Sequence, residues 1–207
     1  MKKTKILLQV RSNSSRLPGK AFLYFKGEPL FIYIAKRLQR SGLDVCVVTS
    51  KEKSDQAIFS FCRKNEIEVF RGELNNVYKR MRDYLVTSDS KYFVRLTGDN
   101  PLIDPSDIKA ALNYSIANDL IVGSSRTWIE GKMMRTLPKG CSIDVFQKAF
   151  FIDNNDSIIS DFDKEHVITG FKDQITLLPK SIFAPKNEND VYSIDNLDDY
   201  LKLITSE

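Results

Sequence analysis

Apolar and polar positions along the first hundred residues alternate between two spacings. A short apolar run over residues 5–10 predicts a strand. From Pro29 onward, Leu30, Phe31, Ile34 and Leu38 fall on one helical face, and Gly42 marks the stop. The β-branched run at 45–49 predicts a second strand, and Ala57, Ile58, Phe61 and Cys62 a second helical stripe. Residues 67–70 read as a third strand, Val77, Met81, Tyr84 and Leu85 as a third helix, and residues 92–96 as a fourth strand. Asp104-Pro105-Ser106-Asp107 has the order of an N-cap, a proline at the first helical position and an early acid. The stripe Ile108, Ala111, Leu112 and Ile116 follows at once.

Repeated strand–helix units of this length predict an α/β fold: a mainly parallel, Rossmann-like sheet flanked by helices. Ligands of such sheets collect beyond the C-terminal ends of the strands, so the polar loops 11–20 and 97–104 should open onto one crevice. After about residue 123 the rhythm breaks. Gly131, Pro138 and Gly140 punctuate a stretch that predicts irregular strands and a short helix over 124–185, a hairpin-bearing lobe beside the main sheet. A strand is expected at 191–194, followed by a helix capped by Asn196 with Leu197, Leu201 and Ile204 facing inward. The expectation is a single domain over 1–207.

Composition narrows the class. The 207 residues are 42% hydrophobic and 28% charged, enough apolar surface for a core and an ordinary polar exterior. The net charge of +4 suits an anionic ligand but is too small to argue for nucleic acid, and no aromatic–basic array accompanies it. No apolar run approaches membrane-spanning length, and Ile6, Leu7 and Leu8 are too few for an export segment. Cys46, Cys62 and Cys141 form no CxxC pair, which argues against disulfides and zinc and for the cytoplasm.

The residues from Gln9 to Lys20 carry the most chemistry. Arg11, Arg16 and Lys20 gather cations, and Ser12, Ser14 and Ser15 leave the backbone free to present N–H groups to an anion. Gly19 permits a turn that returns Lys20 toward it. This is not a Walker A loop, since Ala21 stands where Ser or Thr is required. A basic surface loop has the same composition. Thr97-Gly98-Asp99 follows a strand, which suits Asp99 to magnesium as well as to an Asx turn. Asp195 is a second candidate metal ligand, whereas Asp198 and Asp199 read as first-turn acids. His166, the sole histidine, makes no metal site alone, and nothing supports a hydrolytic triad.

Taken in order, these segments resemble the cytidylyltransferase family that includes the acylneuraminate and 3-deoxy-manno-octulosonate activating enzymes, and most closely its spore-coat polysaccharide branch. Gln9-Val10-Arg11 through Ser15-Arg16-Leu17-Pro18-Gly19-Lys20 is similar to the family's opening loop. Phe70-Arg71-Gly72, Arg95 through Asp104, Glu165-His166-Val167 and Ile194-Asp195 look like its later segments. The resemblance implies a nucleotide-diphospho-sugar transferase-like fold, CTP as donor, magnesium as cofactor and a homodimer. It implies that Gln9, Arg11, Ser12, Ser14, Arg16, Lys20, Arg71, Gly72, Thr97 and Gly98 bind the nucleotide. Lys20 and Arg16 would act on the triphosphate, and Asp99 and Asp195 would hold the metal.

Two departures bear on the acceptor. Ser142 stands where the branch has an acid, and Asp144 is a shortened acid. Arg126, Lys132, Arg135 and Lys139 are accompanied by no acid but Glu130, which suits a carboxylate, phosphate or phosphonate as well as acids of a partner chain. Arg126, Arg135, Ser142, Asp144 and His166 are therefore expected at the acceptor, an anionic small molecule. Transfer of another base such as uridylate, or nucleotide binding without catalysis, are the competing expectations.

Overall fold

The computed structural model describes residues 3–154, 158, 160–187 and 190–205. β1 (Thr4–Gln9) leads through the polar loop and a small hairpin, β2 (Tyr24–Phe25) and β3 (Glu28–Pro29), into α1 (Leu30–Arg40). β4 (Val45–Ser50) leads to α2 (Gln56–Lys64), β5 (Glu68–Gly72) to α3 (Val77–Thr87), and β6 (Tyr92–Thr97) to α4 (Pro105–Ala117). Asp104 caps α4 as its sequence requires: Oδ1 accepts from the Ser106 N–H at 2.8 Å, and Pro105 opens the helix. The second half supplies β7 (Val122–Ser124), β8 (Arg126–Ile129), β9 (Lys132–Arg135) and β10 (Asp144–Gln147). α5 (Lys148–Asp153), α6 (Asp161–His166), β11 (Ile175–Leu177) and α7 (Leu197–Thr205) complete it.

Seven strands form one sheet in the order β11-β7-β10-β6-β1-β4-β5. All run parallel except β10, which is antiparallel to both neighbours. Helices cover both faces, so the central strands are apolar on both sides. Along β1, Ile6 and Leu8 join the core under α1, while Leu7 joins that under α3, with Met81, Phe93, Phe146 and Phe151. Leu7 is wholly buried, and truncating such a leucine to alanine costs roughly 2–5 kcal/mol. Among the described residues, no helix is long and apolar enough to cross a membrane.

Three expectations differ from the structure. The stretch 124–185 is not a lobe beside the sheet: β10 is inserted between β6 and β7, and β11 extends the edge, while only β8 and β9 stand apart as a hairpin. Strands of three or four residues show too little alternation to reveal their neighbours. Residues 191–194 form no strand; the Ile194 N–H makes one bond, to the Asp99 carbonyl at 3.0 Å. In α7 the inward residues are Leu203 and Tyr200, while Leu197, Leu201 and Ile204 are exposed. The helix carries two apolar stripes, and docking of Tyr200, whose hydroxyl donates to the Tyr24 carbonyl at 2.7 Å, selects the other one.

Candidate active site

Gln9 and Thr97 are partners at the last register of β1 and β6, so the loops that follow leave the sheet side by side. The Gly98 N–H donates to the Gln9 carbonyl at 2.9 Å and ties them. Above lies a cavity of about 190 Å³, lined by Gln9, Arg11, Ser14, Arg16, Lys20, Thr97, Gly98 and Asp99, together with Arg95, Glu165 and His166. At φ 73°, Gly19 takes the left-handed turn that brings the loop back, its N–H donating to the Ser12 carbonyl at 2.9 Å. Lys20 is thereby carried to the Asp99 carboxylate and donates to the Ile194 carbonyl at 3.0 Å.

Asp195 lies beside this pair. Its Oδ1 meets Arg16 Nη2 at 2.9 Å and its Oδ2 meets Lys139 Nζ at 2.7 Å. Burial works against its charge, but the Lys139 hydrogen bond and the charges of Lys139, Arg16 and Lys20 outweigh that and hold its pKa below the usual carboxylate range. Among the described residues, no three or more His, Cys, Asp or Glu side chains cluster as a metal cage. Asp99 and Asp195, two carboxylates beside cation-lined cavities, are the kind of donor set that magnesium takes when phosphate and water supply its other ligands.

The remaining nucleotide candidates are placed differently. Ser12 turns inward, its N–H and Oγ donating to Asp55 Oδ1 at 2.8 and 2.6 Å. Asp55 Oδ2 accepts from the Ser50 N–H and Oγ at 3.2 and 2.5 Å. Burial raises the Asp55 pKa, yet these four hydrogen bonds more than offset it and leave it lowered. Arg71 reaches the segment after β4, donating to the Ser50 carbonyl and Gln56 Oε1 at 2.9 and 2.6 Å. Gly72 packs against Arg80, where a Cβ would lie 2.7 Å from Arg80 Cγ. Neither Arg71 nor Gly72 lines the cavity.

A second cavity of about 220 Å³ adjoins the first, sharing Arg16, Arg95, Thr97, Asp99 and His166, and is walled by Arg126, Arg135, Lys139, Ser142 and Asp195. The acceptor candidates thus converge. Asp144 lies beneath, 1% exposed, accepting from Arg126 Nη2 at 2.6 Å, Arg95 Nη1 at 3.3 Å and Ser124 Oγ at 2.8 Å. Burial opposes its charge, but the two arginines overcome this and lower its pKa. Arg135 Nη1 donates to Ser142 Oγ at 2.8 Å, so the serine orients the arginine. Burial, reinforced by Arg126, lowers the Arg135 pKa. A cavity with this excess of guanidinium groups suits an anion.

α6 closes the site. Glu165 Oε1 takes Arg11 Nη2 at 2.7 Å, and His166 packs on Phe162 with ring centres 4.1 Å apart. Burial lowers the His166 pKa against the pull of Glu165, with Arg95, Arg126 and Arg11 adding to the lowering. Val167, buried behind them, has φ 62° and ψ −63°, a strained γ-turn that fixes how Glu165 and His166 enter the cavity. Sequence reading missed Arg95 and Asp55 as site residues. The signal for Arg95 was a lone charge inside an otherwise apolar strand; Asp55 has none, because its partners lie 5 and 43 positions away.

A sequence profile described as Cytidylyltransferase matches residues 5–135. The chain is 29% identical over 129 residues to the spore coat polysaccharide biosynthesis protein SpsF of Bacillus subtilis, covering 59% of this chain and 52% of that one. It is 31% identical over 114 residues to the 3-deoxy-manno-octulosonate cytidylyltransferase of Escherichia coli, covering 54% and 46%. The chain spans about half the length of the curated relatives it matches. A solved cytidylyltransferase from Leptospira borgpetersenii superposes with a TM-score of 0.81 at 27% identity, over 97% of this chain and 84% of that one. A CMP:2-keto-3-deoxy-manno-octonic acid synthetase solved with CTP superposes with a TM-score of 0.69 at 15% identity, over 99% and 98%, a likeness of fold.

Proposed function

Because the chain belongs to the cytidylyltransferase family, we propose that it transfers CMP from CTP to a small anionic acceptor and releases pyrophosphate. The observation that carries this reading is the pair of cation-rich cavities that share Arg16, Thr97, Asp99 and His166 above the ends of β1 and β6. The donor triphosphate enters the first cavity, where Arg11, Arg16 and Lys20 meet its oxygens. The acceptor enters the second, its anionic group toward Arg126 and Arg135.

An acceptor oxygen attacks the α-phosphorus in line as the bond to the bridging oxygen of pyrophosphate breaks. Charge spreads over phosphate oxygens in such a transition state, so positioning and neutralisation do most of the work. Asp99 and Asp195 would hold magnesium, which supplies charge neutralisation and a lowered pKa at a nearby hydroxyl. Lys20 and Arg16 stabilise the leaving pyrophosphate. His166 lines both cavities, and the lowering of its pKa by burial favours the neutral ring there.

The assembly proposed is a homodimer, consistent with Ile129, Met133 and Met134 exposed on the β8–β9 hairpin. A single domain is supported by a sheet that takes strands from both halves of the chain. A cytoplasmic setting is supported by three free, buried cysteines, and the name of the Bacillus subtilis relative suggests a product used in surface polysaccharide synthesis.

The test crosses the four nucleoside triphosphates with a panel of acidic sugars, including 3-deoxy-manno-octulosonate, and phosphorylated or phosphonate compounds, reading pyrophosphate release. Turnover is expected with CTP and an anionic acceptor alone. Preferred use of UTP or ATP, or of a neutral acceptor, contradicts the reading.

A further inference from the structure

Arg95 lies where the two cavities meet and lines both. It is the third residue from the end of β6, with a residual exposure of 7%. Nη1 donates to Asp144 at 3.3 Å and Nη2 to Gln9 Oε1 at 3.1 Å, while the buried Nε has no hydrogen-bond partner among the described residues. Asp144 is shared with Arg126, so the carboxylate paired with Arg95 serves two guanidinium groups, and Asp99, the other acid that acts on Arg95, is itself paired with Lys20. A desolvated cation that shares its carboxylate with a second guanidinium favours a further anion, and the cavity that Arg95 lines is where one would sit. Burial lowers the Arg95 pKa, but an arginine stays protonated at neutral pH.

We propose that Arg95 is a catalytic residue that binds the α-phosphoryl group, the only part of the donor that must reach the junction of both cavities. This rests on the donor reading above and adds to it a contact from the sheet itself, beside Arg16 of the entry loop, which also lines both cavities. The neighbours point to the donor rather than the acceptor. Gln9, which holds Nη2, lines the first cavity alone, and its amide can yield that donor to a phosphate oxygen. Asp144 keeps Nη1 and so fixes the plane of the guanidinium. In the transition state the charge on the transferred phosphoryl grows, and a preorganised cation in a buried site responds to it more strongly than an exposed lysine does.

The test is calorimetry of cytidine, CMP and CTP with the wild-type chain, Arg95→Met and Arg95→Lys. CMP carries only the α-phosphate, which isolates the contact. Arg95→Met is expected to weaken CMP roughly tenfold or more and leave cytidine unchanged, with Arg95→Lys recovering part of the loss. Since Arg95→Met strands Asp144 and could unfold, Arg95→Lys, which keeps the charge beside that carboxylate, is the variant of record if it does. Equal CMP binding by wild type and a folded variant overturns the proposal. So does a raised acceptor KM with unchanged CMP affinity, which assigns Arg95 to the acceptor. A wild-type chain that binds none of the three ligands defeats the donor reading itself, an outcome distinct from either.

Discussion

Nη2 of Arg16 stands 2.9 Å from Oδ1 of Asp195, joining the loop after β1 to the turn before α7. The arginine side chain is 64% exposed and the aspartate's only 11%. A pair with one partner so exposed is worth about 0–1 kcal/mol, so Arg16 can leave it for a phosphate at little cost. Arg16→Ala is therefore expected to shift the midpoint of thermal unfolding by less than about 4 °C. It should also reduce the stabilisation conferred by CTP, consistent with roughly tenfold weaker binding. Thermal shift with and without CTP reads both.

Asp55 anchors the same loop from below. Asp55→Ala strands the buried N–H groups of Ser12 and Ser50 and is expected to cost about 2–4 kcal/mol, read by chemical denaturation. The pH dependence has a fixed sign. The folded-state pKa of Asp55 lies below its unfolded value, so its contribution is complete above about pH 4 and is lost as pH falls through the folded value. Stability of the wild type should fall more steeply than that of Asp55→Ala in that acid range.

The first half of the fold was legible because its strands and helices are long enough to show their periods, and because Asp104-Pro105 caps α4 by local chemistry. The opening loop was legible as an anion site for a related reason: Arg11, Arg16, Gly19 and Lys20 fall within ten residues of one another. What escaped was tertiary. Arg95 and Asp144 are 49 positions apart and meet only because β10 runs antiparallel beside β6, an insertion that a four-residue strand does not announce. The inward stripe of α7 was misjudged for the same reason, since Leu203 is selected by the surface it docks on.

Arg126 and Arg135 face the second cavity, held by Asp144 and Ser142. Arg126→Ala and Arg135→Ala are each expected to raise the acceptor KM roughly tenfold while leaving that for CTP within about twofold. Steady-state kinetics with each substrate varied in turn gives both constants. A parallel rise in the CTP constant would show that the two cavities are not divided as proposed.

His166 is the sole histidine, so its ring signals in an NMR titration are unambiguous. Burial places its pKa below the ordinary histidine value near 6.5, and it should titrate there. Being favoured neutral in the folded state, it contributes stability above about pH 6.5 that is lost as pH falls through the lowered value. A pKa above 6.5 would mean that Glu165 dominates its surroundings.

The most direct test of the account is calorimetric titration of CTP, UTP, ATP and GTP, with magnesium and with a chelator. Tightest binding is expected for CTP in the presence of magnesium, with a metal effect that largely disappears in Asp99→Asn and Asp195→Asn. Those variants should also lose roughly 100-fold or more in turnover, the scale of a lost transition-state contact. Equal binding of ATP and CTP, or a metal effect undiminished in both variants, would contradict a CTP-dependent site built on Asp99 and Asp195.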